Sequence, residues 1–175
     1  MFFLAILFVV FGLLFTASGF GIFVVGRFDG FILIIIGVAM FWGGWIMSGA
    51  KGFPCALATV LNMFDAASTV AFWNFEINPI VLAAGPTLFM IAKVVSSLTI
   101  MLYAKLNSNP RKGGILLSIF YAAIVGWNLS QHFRAWLGLI SLAYGTVLGA
   151  VFSLLASAIV LYFIFINERR RKVKP

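Results

Sequence analysis

Polar side chains recur along one face of the apolar segment 54–75 and at Glu76, the residue that follows it. At about 100° of rotation per residue in an α-helix, they fall within a stripe about 60° wide. The stripe consists of Asn62, Asp65, Thr69 and Glu76. Carboxylates, an amide and a hydroxyl on one face of an otherwise apolar helix have the chemistry to bind an ion, to relay a proton, to contact a polar substrate or to pair with a neighbouring helix.

A lysine near the middle of the next apolar segment is the natural partner for the Asp65 carboxylate. Asp65 and Lys93 each lie within about two residues of the centre of their segment, so their depths differ by about 3 Å. A lone charge at the centre of a membrane helix costs about 2.5–3.5 kcal/mol, so pairing or proton transfer is favourable. We predict that the two side chains face each other, either fixing helix register or lining a proton, ion or substrate path.

A third set of polar side chains shares one face of the apolar segment 115–132. Tyr121, Asn128 and His132 fall within about 40° on this helix. Glu76 and His132 are expected near the same outer surface, where we interpret them as separate interfacial residues. We call the eight residues of the three faces the polar seam: Asn62, Asp65, Thr69, Glu76, Lys93, Tyr121, Asn128 and His132.

The scarcity of cysteine and histidine limits the chemistry of the chain. There is one cysteine, Cys55, and one histidine, His132. An intramolecular disulfide, a cysteine-based metal site and bis-histidine haem ligation within the chain are therefore excluded. No Gly-x-Ser-x-Gly or phosphate-binding Gly-rich motif is present. We expect no metal and no cofactor.

Membrane-spanning helices must position these residues. Of the 175 residues, 63% are hydrophobic and 9% are charged, against about 45–50% and about 25% in soluble domains. The apolar runs lack the alternation of β-barrel strands. We therefore predict an all-α, polytopic transmembrane helix bundle, with residues 1–175 forming a single transmembrane domain. The six spans are predicted at about 2–25, 31–50, 54–75, 79–104, 115–132 and 137–166.

Two local signals shape the fourth span. Asn78 followed by Pro79 is typical of a helix start, because the asparagine side chain caps free amides and proline loses no hydrogen bond in the first turn. Pro86, two turns before Lys93, predicts a kink within the same helix.

The basic residues predict an orientation. The net charge is +8, and five of the twelve basic residues lie in the tail 167–175, which we interpret as a cytoplasmic anchor near anionic lipid rather than a nucleic-acid site. With both termini in the cytoplasm, nine basic residues lie inside and two outside, in agreement with the positive-inside rule. The inside residues are Lys51, Lys105, Arg111, Lys112, Arg169, Arg170, Arg171, Lys172 and Lys174. We expect a multi-pass protein of the cell membrane.

Small residues four apart recur in the sixth span, at Gly145, Gly149 and Ser153. Such spacing lets two helices approach closely. We interpret this face as packing inside the bundle, with a partner-facing surface as the alternative.

The polar residues between 54 and 131 also form a pattern that resembles a known family. The pattern is Leu-Asn at Asn62, then Asp65 and Thr69, Glu-x-Asn-Pro at 76–79, Lys93, and finally Tyr121 and Asn128. It resembles the small uncharacterised integral membrane proteins grouped as domain of unknown function 5658 (DUF5658). The resemblance implies that Asn62, Asp65, Thr69, Glu76, Asn78, Pro79 and Lys93 form a shared site or scaffold. It implies no activity.

Three classes of function compete. The first is a non-enzymatic structural or accessory subunit, in contact with the lipid bilayer, with other membrane subunits or with a second copy of the chain. The second is a small transporter or ion- or proton-conducting protein that uses Asp65, Lys93 and Glu76. The third is an intramembrane enzyme that modifies lipid. The short loops, the one buried pair and the small-residue face favour the first class.

Overall fold

The apolar runs form helices, because a backbone in lipid must satisfy its own amides and carbonyls. The computed structural model describes residues 2–24, 26–71, 73, 78–136 and 142–172. Within these residues all regular structure is helical, and six helices are long and apolar enough to span a membrane. They are α1 (Phe2–Val24), α2 (Asp29–Ser48), α3 (Phe53–Ala71), α4 (Pro79–Leu106), α5 (Arg111–Trp136) and α6 (Leu142–Lys172). The predicted all-α fold with six spans is confirmed.

The ends of α2 and α3 differ from the predicted bounds. α2 begins at Asp29 rather than 31, and it ends at Ser48 because Gly49 adopts a left-handed conformation with φ of 70°. The Gly49 amide bonds to the Ile46 carbonyl, which closes the last turn. The described part of α3 is Phe53–Ala71; most of the predicted span beyond it, up to 75, lies outside the described residues.

The later helices are longer than hydropathy predicts. α4 runs to Leu106 and α5 begins at Arg111, so the predicted loop from 105 to 114 shrinks to four residues. α5 continues through Trp136 instead of ending at 132. α6 runs to Lys172 rather than 166, so the basic tail is helical up to that residue, while the predicted start at 137–141 lies outside the described part of the chain. Hydropathy marks where lipid ends, and charged residues can continue a helix into water.

Most of the spanning part of α3 is buried, whereas hardly any of α4 is. The α1–α2 pair packs on one side of α3, and the α5–α6 pair packs on another, mainly through α5. α4 rests against α3 and makes few contacts elsewhere. The polar seam is therefore assembled around the most enclosed helix.

Glycines bring α1 and α2 into close contact. A Cβ added to Gly12 would lie 2.7 Å from the Gly37 carbonyl, and one added to Gly44 would lie 2.7 Å from the Ala5 carbonyl. Gly19 meets Gly30 in the same way, at 2.6 Å from its carbonyl. The seven-residue spacing of glycines in both segments is the signal for this contact, and no prediction above rests on it.

The predicted small-residue face of α6 packs on α5. Gly149 lies against the Trp127 ring, and Ser153 Oγ donates to the Ala123 carbonyl at 2.8 Å. A Cβ added to Gly126 of α5, a residue outside the predicted small-residue face, would lie 2.5 Å from the Phe152 carbonyl. Gly145 belongs to α6, but its surroundings lie outside the described part of the structure.

The basic residues of several connections gather at one end of the bundle. The Lys51 amide bonds to the Ala104 carbonyl at 3.2 Å, and Cys55 Sγ donates to the Pro110 carbonyl at 3.5 Å. These bonds join the α2–α3 and α4–α5 connections. The start of α1 and the end of α6 lie at this same end, because α1 pairs antiparallel with α2 and α6 with α5. Arg27 and Asp29 pair at the opposite end, at 2.6 Å.

Candidate functional site

The polar face of α3 points into the bundle. Asn62, Asp65 and Thr69 are exposed by only 0%, 3% and 6%. Alanines at Ala66 and Ala67 are buried beside them and let neighbouring helices approach. A lipid-facing position would leave the amide and the carboxylate without partners, so this orientation is the favourable one.

Lys93 of α4 reaches the Asp65 carboxylate. Its Nζ donates to Asp65 Oδ2. The ammonium also lies 5.2 Å from the centre of the Phe89 ring and 5.4 Å from that of Tyr121. Aromatic faces attract cations, so the rings offset part of the lysine's lost hydration.

Asn128 of α5 binds the other oxygen of the same carboxylate. Its Nδ2 lies 2.8 Å from Asp65 Oδ1 and 3.2 Å from Thr69 Oγ1. Both carboxylate oxygens therefore accept hydrogen bonds, one from each neighbouring helix. We call Asn62, Asp65, Thr69, Lys93 and Asn128 the central cluster.

Asn62 joins α3 to the backbone of α4. Its Nδ2 donates to the Lys93 carbonyl at 2.9 Å and to Ser97 Oγ at 2.8 Å. Ser96 on the next face of α4 bonds to the Tyr121 hydroxyl at 2.7 Å. Both serines follow Lys93 by about one helical turn. The predicted polar seam does not include them, although their position beside the lysine indicated that they share its surroundings.

The start and the bend of α4 agree with the local signals. The Asn78 side chain accepts from the Ile80 amide at 3.0 Å, and Pro79 occupies the first turn. The helix is broken at Gly85, whose φ of 74° and ψ of 163° are non-helical, immediately before Pro86. The predicted kink is thus present, and the glycine supplies the backbone freedom for it.

A cavity of about 470 Å³ lies between α4 and α5, with α3 behind it. Both α4 and α5 pack on α3, and their backbones lie close to each other at few points. The cavity is lined by the polar residues Asp65, Thr69, Asn78, Lys93 and Asn128 and by the apolar residues Val81, Phe89, Phe120, Ala123, Ile124 and Trp127. We call it the α4–α5 cleft.

A second groove, of about 540 Å³, lies between α1 and α4. Its walls are aliphatic, with Thr87 as the one hydroxyl-bearing side chain among them. This groove has the apolar surface expected of a lipid-facing depression, whereas the α4–α5 cleft is lined in part by the charged residues Asp65 and Lys93.

Two members of the polar seam cannot be placed in the cluster. Glu76 lies outside the described residues. His132 belongs to α5, but its side chain is also outside the described part, as is that of Arg134. Among the residues that the structure does describe, no group of three or more His, Cys, Asp or Glu side chains is placed to hold a metal ion.

The six apolar helices and the buried polar cluster define a multi-pass helical membrane protein. No protein-family model, curated protein or solved structure matches the chain. The resemblance to the DUF5658 family therefore stays a prediction.

Proposed function

We propose that this protein is a non-enzymatic structural or accessory subunit of a membrane complex in the cell membrane. In this proposal Asp65 and Lys93 form an intramembrane ion pair that holds α4 to α3. Two further hydrogen bonds support this pair. Asn62 of α3 donates to the Lys93 carbonyl of α4, and Asn128 of α5 donates to the Asp65 carboxylate of α3, so the bonds around the pair join three helices. Both termini are cytoplasmic, and the DUF5658-like residues serve as scaffold.

The exposure of α4 is the observation that carries this proposal. Its apolar side chains point away from the chain, with Leu88, Ile91 and Val95 more than half exposed. Its inner face makes polar contacts to α3 and α5 around Lys93. Toward its C-terminal end, three buried side chains pack into the apolar core, those of Ile100, Met101 and Ala104. A helix held this way offers a long apolar surface to a neighbouring membrane subunit or to a second copy of the chain.

Blue-native electrophoresis of the gently extracted protein tests the proposal. We expect a stoichiometric complex whose partner is lost in Val95→Trp, which changes the outer face of α4. Ile35→Trp on α2 is the matched control, because both side chains are exposed to a similar extent, 56% and 54%. Migration of the native protein as a free monomer would contradict the proposal.

The α4–α5 cleft favours a second candidate, a small transporter or ion- or proton-conducting protein that uses Asp65, Lys93 and Glu76. A cleft lined by both Asp65 and Lys93 is more than a structural pair requires. Proton or ion flux into liposomes would be measured for the native protein, Asp65→Asn and the surface control Asp29→Asn. Flux lost only in Asp65→Asn would favour this candidate, and absence of flux in the native protein would remove it.

A further inference from the structure

We propose that the α4–α5 cleft binds a single-chain amphiphile with a carboxylic acid group, a free fatty acid, with the acid at Lys93 and the chain along the aromatic wall. The inference goes beyond the proposed function, because it assigns a ligand to a site that a scaffold does not need.

The polar end of the cleft offers hydrogen-bond donors. The Lys93 side chain is 18% exposed, whereas that of Asp65 is 4% exposed and both of its oxygens are occupied. An ammonium has three N–H donors, and Asp65 engages one of them. The headgroup that enters must therefore accept hydrogen bonds, which a carboxylate does most strongly with a charged donor.

The rest of the cleft is suited to a hydrocarbon chain. Phe89, Phe120 and Trp127 supply aromatic wall, and Val81 and Ile124 supply aliphatic wall. The volume of about 470 Å³ falls within the range of about 300–1,000 Å³ that is typical of small-molecule pockets. Because α4 and α5 stand apart, a chain can enter sideways from the bilayer.

Depth selects a fatty acid over a phospholipid. Lys93 lies near the middle of α4, about 20 Å along the helix from either end. Phosphate groups are permanently charged and stay at the surface of the bilayer, whose hydrocarbon core is about 30 Å thick. A carboxylic acid can take up its proton, become neutral and move to the depth of Lys93.

Binding conserves charge. The ligand enters as the neutral acid, its O–H bond breaks, and the proton forms a new O–H bond on Asp65 Oδ2. The resulting ligand carboxylate then accepts a hydrogen bond from the Lys93 ammonium in place of Asp65. Asn128 keeps its hydrogen bond to Asp65 Oδ1, and the site remains neutral before and after binding.

Fluorescence quenching of Trp127 tests the proposal. The purified protein in maltoside detergent is titrated with dibromostearic acid and with its methyl ester, and the signal of Trp127→Phe is subtracted. We expect the acid to quench saturably at a concentration about tenfold or more below that of the ester. Lys93→Met should abolish this preference, and Lys105→Met, at the exposed end of α4, should keep it.

A second pair of variants leaves the central cluster intact. Ala123→Phe fills the cleft and should abolish saturable quenching, while Ala83→Phe, exposed on α4 outside the cleft, should leave it unchanged. Equal quenching by acid and ester, or equal quenching by brominated phosphatidylcholine, would overturn the proposal. Ala123→Phe should not alter partner association in blue-native gels, so failure of ligand binding and failure of the proposed function are distinguishable.

Discussion

The Asp65 carboxylate receives one hydrogen bond from each of two helices, from Lys93 of α4 and Asn128 of α5. Removal of either charge would leave the other largely buried without its oppositely charged partner. Such losses cost about 3–5 kcal/mol, whereas removal of both charges is often far less destabilising. The strength of the pair is therefore best seen by comparing single and double substitutions.

We expect Asp65→Asn and Lys93→Met each to lower stability by about 3–5 kcal/mol, and the double variant to lose less than either one. Thermal unfolding in detergent, followed by fluorescence-detected size exclusion, measures the loss of stability in each variant. Asp29→Asn is the control, because that carboxylate is half exposed. If both single variants are as stable as the native protein, the pair is not an ion pair.

Asn62 provides a second test at the scale of single residues. Asn62→Leu removes two hydrogen bonds to α4 while keeping a side chain of similar size. Hydrogen bonds between membrane helices average about 0.6 kcal/mol, so we expect a loss of about 1–2 kcal/mol. Thr99→Val is the control, since its hydroxyl bonds only within α4, to the Val95 carbonyl. Equal stability of both variants in thermal unfolding would contradict the assignment.

At the scale of helices, two kinds of contact hold the bundle together. α1 and α2 meet through glycines, whereas α4 meets α3 and α5 through polar groups and, toward its C-terminal end, through buried apolar side chains such as Met101. In lipid, close packing and hydrogen bonds replace the hydrophobic drive that joins helices in water. The α1–α2 pair and α4 are thus sensitive to different substitutions.

Gly12→Leu tests the close packing of α1 on α2. A Cβ at this position would lie 2.6 Å from the Phe41 amide, and overpacking costs about 1–3 kcal/mol. Gly21→Leu is the matched control on the same helix, because no atom lies within 4 Å of its added Cβ. We expect a lower unfolding temperature for Gly12→Leu alone, and equal shifts would contradict the packing.

For the whole molecule, the bundle has one strongly basic end. Lys51, Lys105 and Arg111 border connections that hydrogen bonds bring together, and α6 carries Arg169 to the same end. The positive-inside rule assigns such an end to the cytoplasm. We therefore expect both termini in the cytoplasm, and this orientation can be measured directly.

Cysteine labelling tests the orientation. In a Cys55→Ser background, Phe28→Cys and Asn109→Cys place thiols in exposed turns at opposite ends of the bundle. We expect a membrane-impermeant maleimide to label Phe28→Cys in intact cells, and to label Asn109→Cys only after permeabilisation. The reverse pattern would place both termini outside.

The sequence by itself determined the class of protein, the number of spans, the capped start of α4 and the polar face of α3. These features depend on local composition, on transfer into lipid and on helical periodicity, which need no knowledge of neighbours. The depth of Asp65 and Lys93 is of this kind, because position along a span is readable from the sequence.

Only the tertiary structure decided which groups meet. The shared carboxylate of Asp65, the bond of Asn62 to Ser97 and the α4–α5 cleft depend on helix rotation and spacing. The helix ends also escaped prediction, as at Arg111, because hydropathy follows the lipid boundary and not the hydrogen bonds of the backbone. Rotation and spacing arise from packing between distant segments, and periodicity within one segment does not encode them.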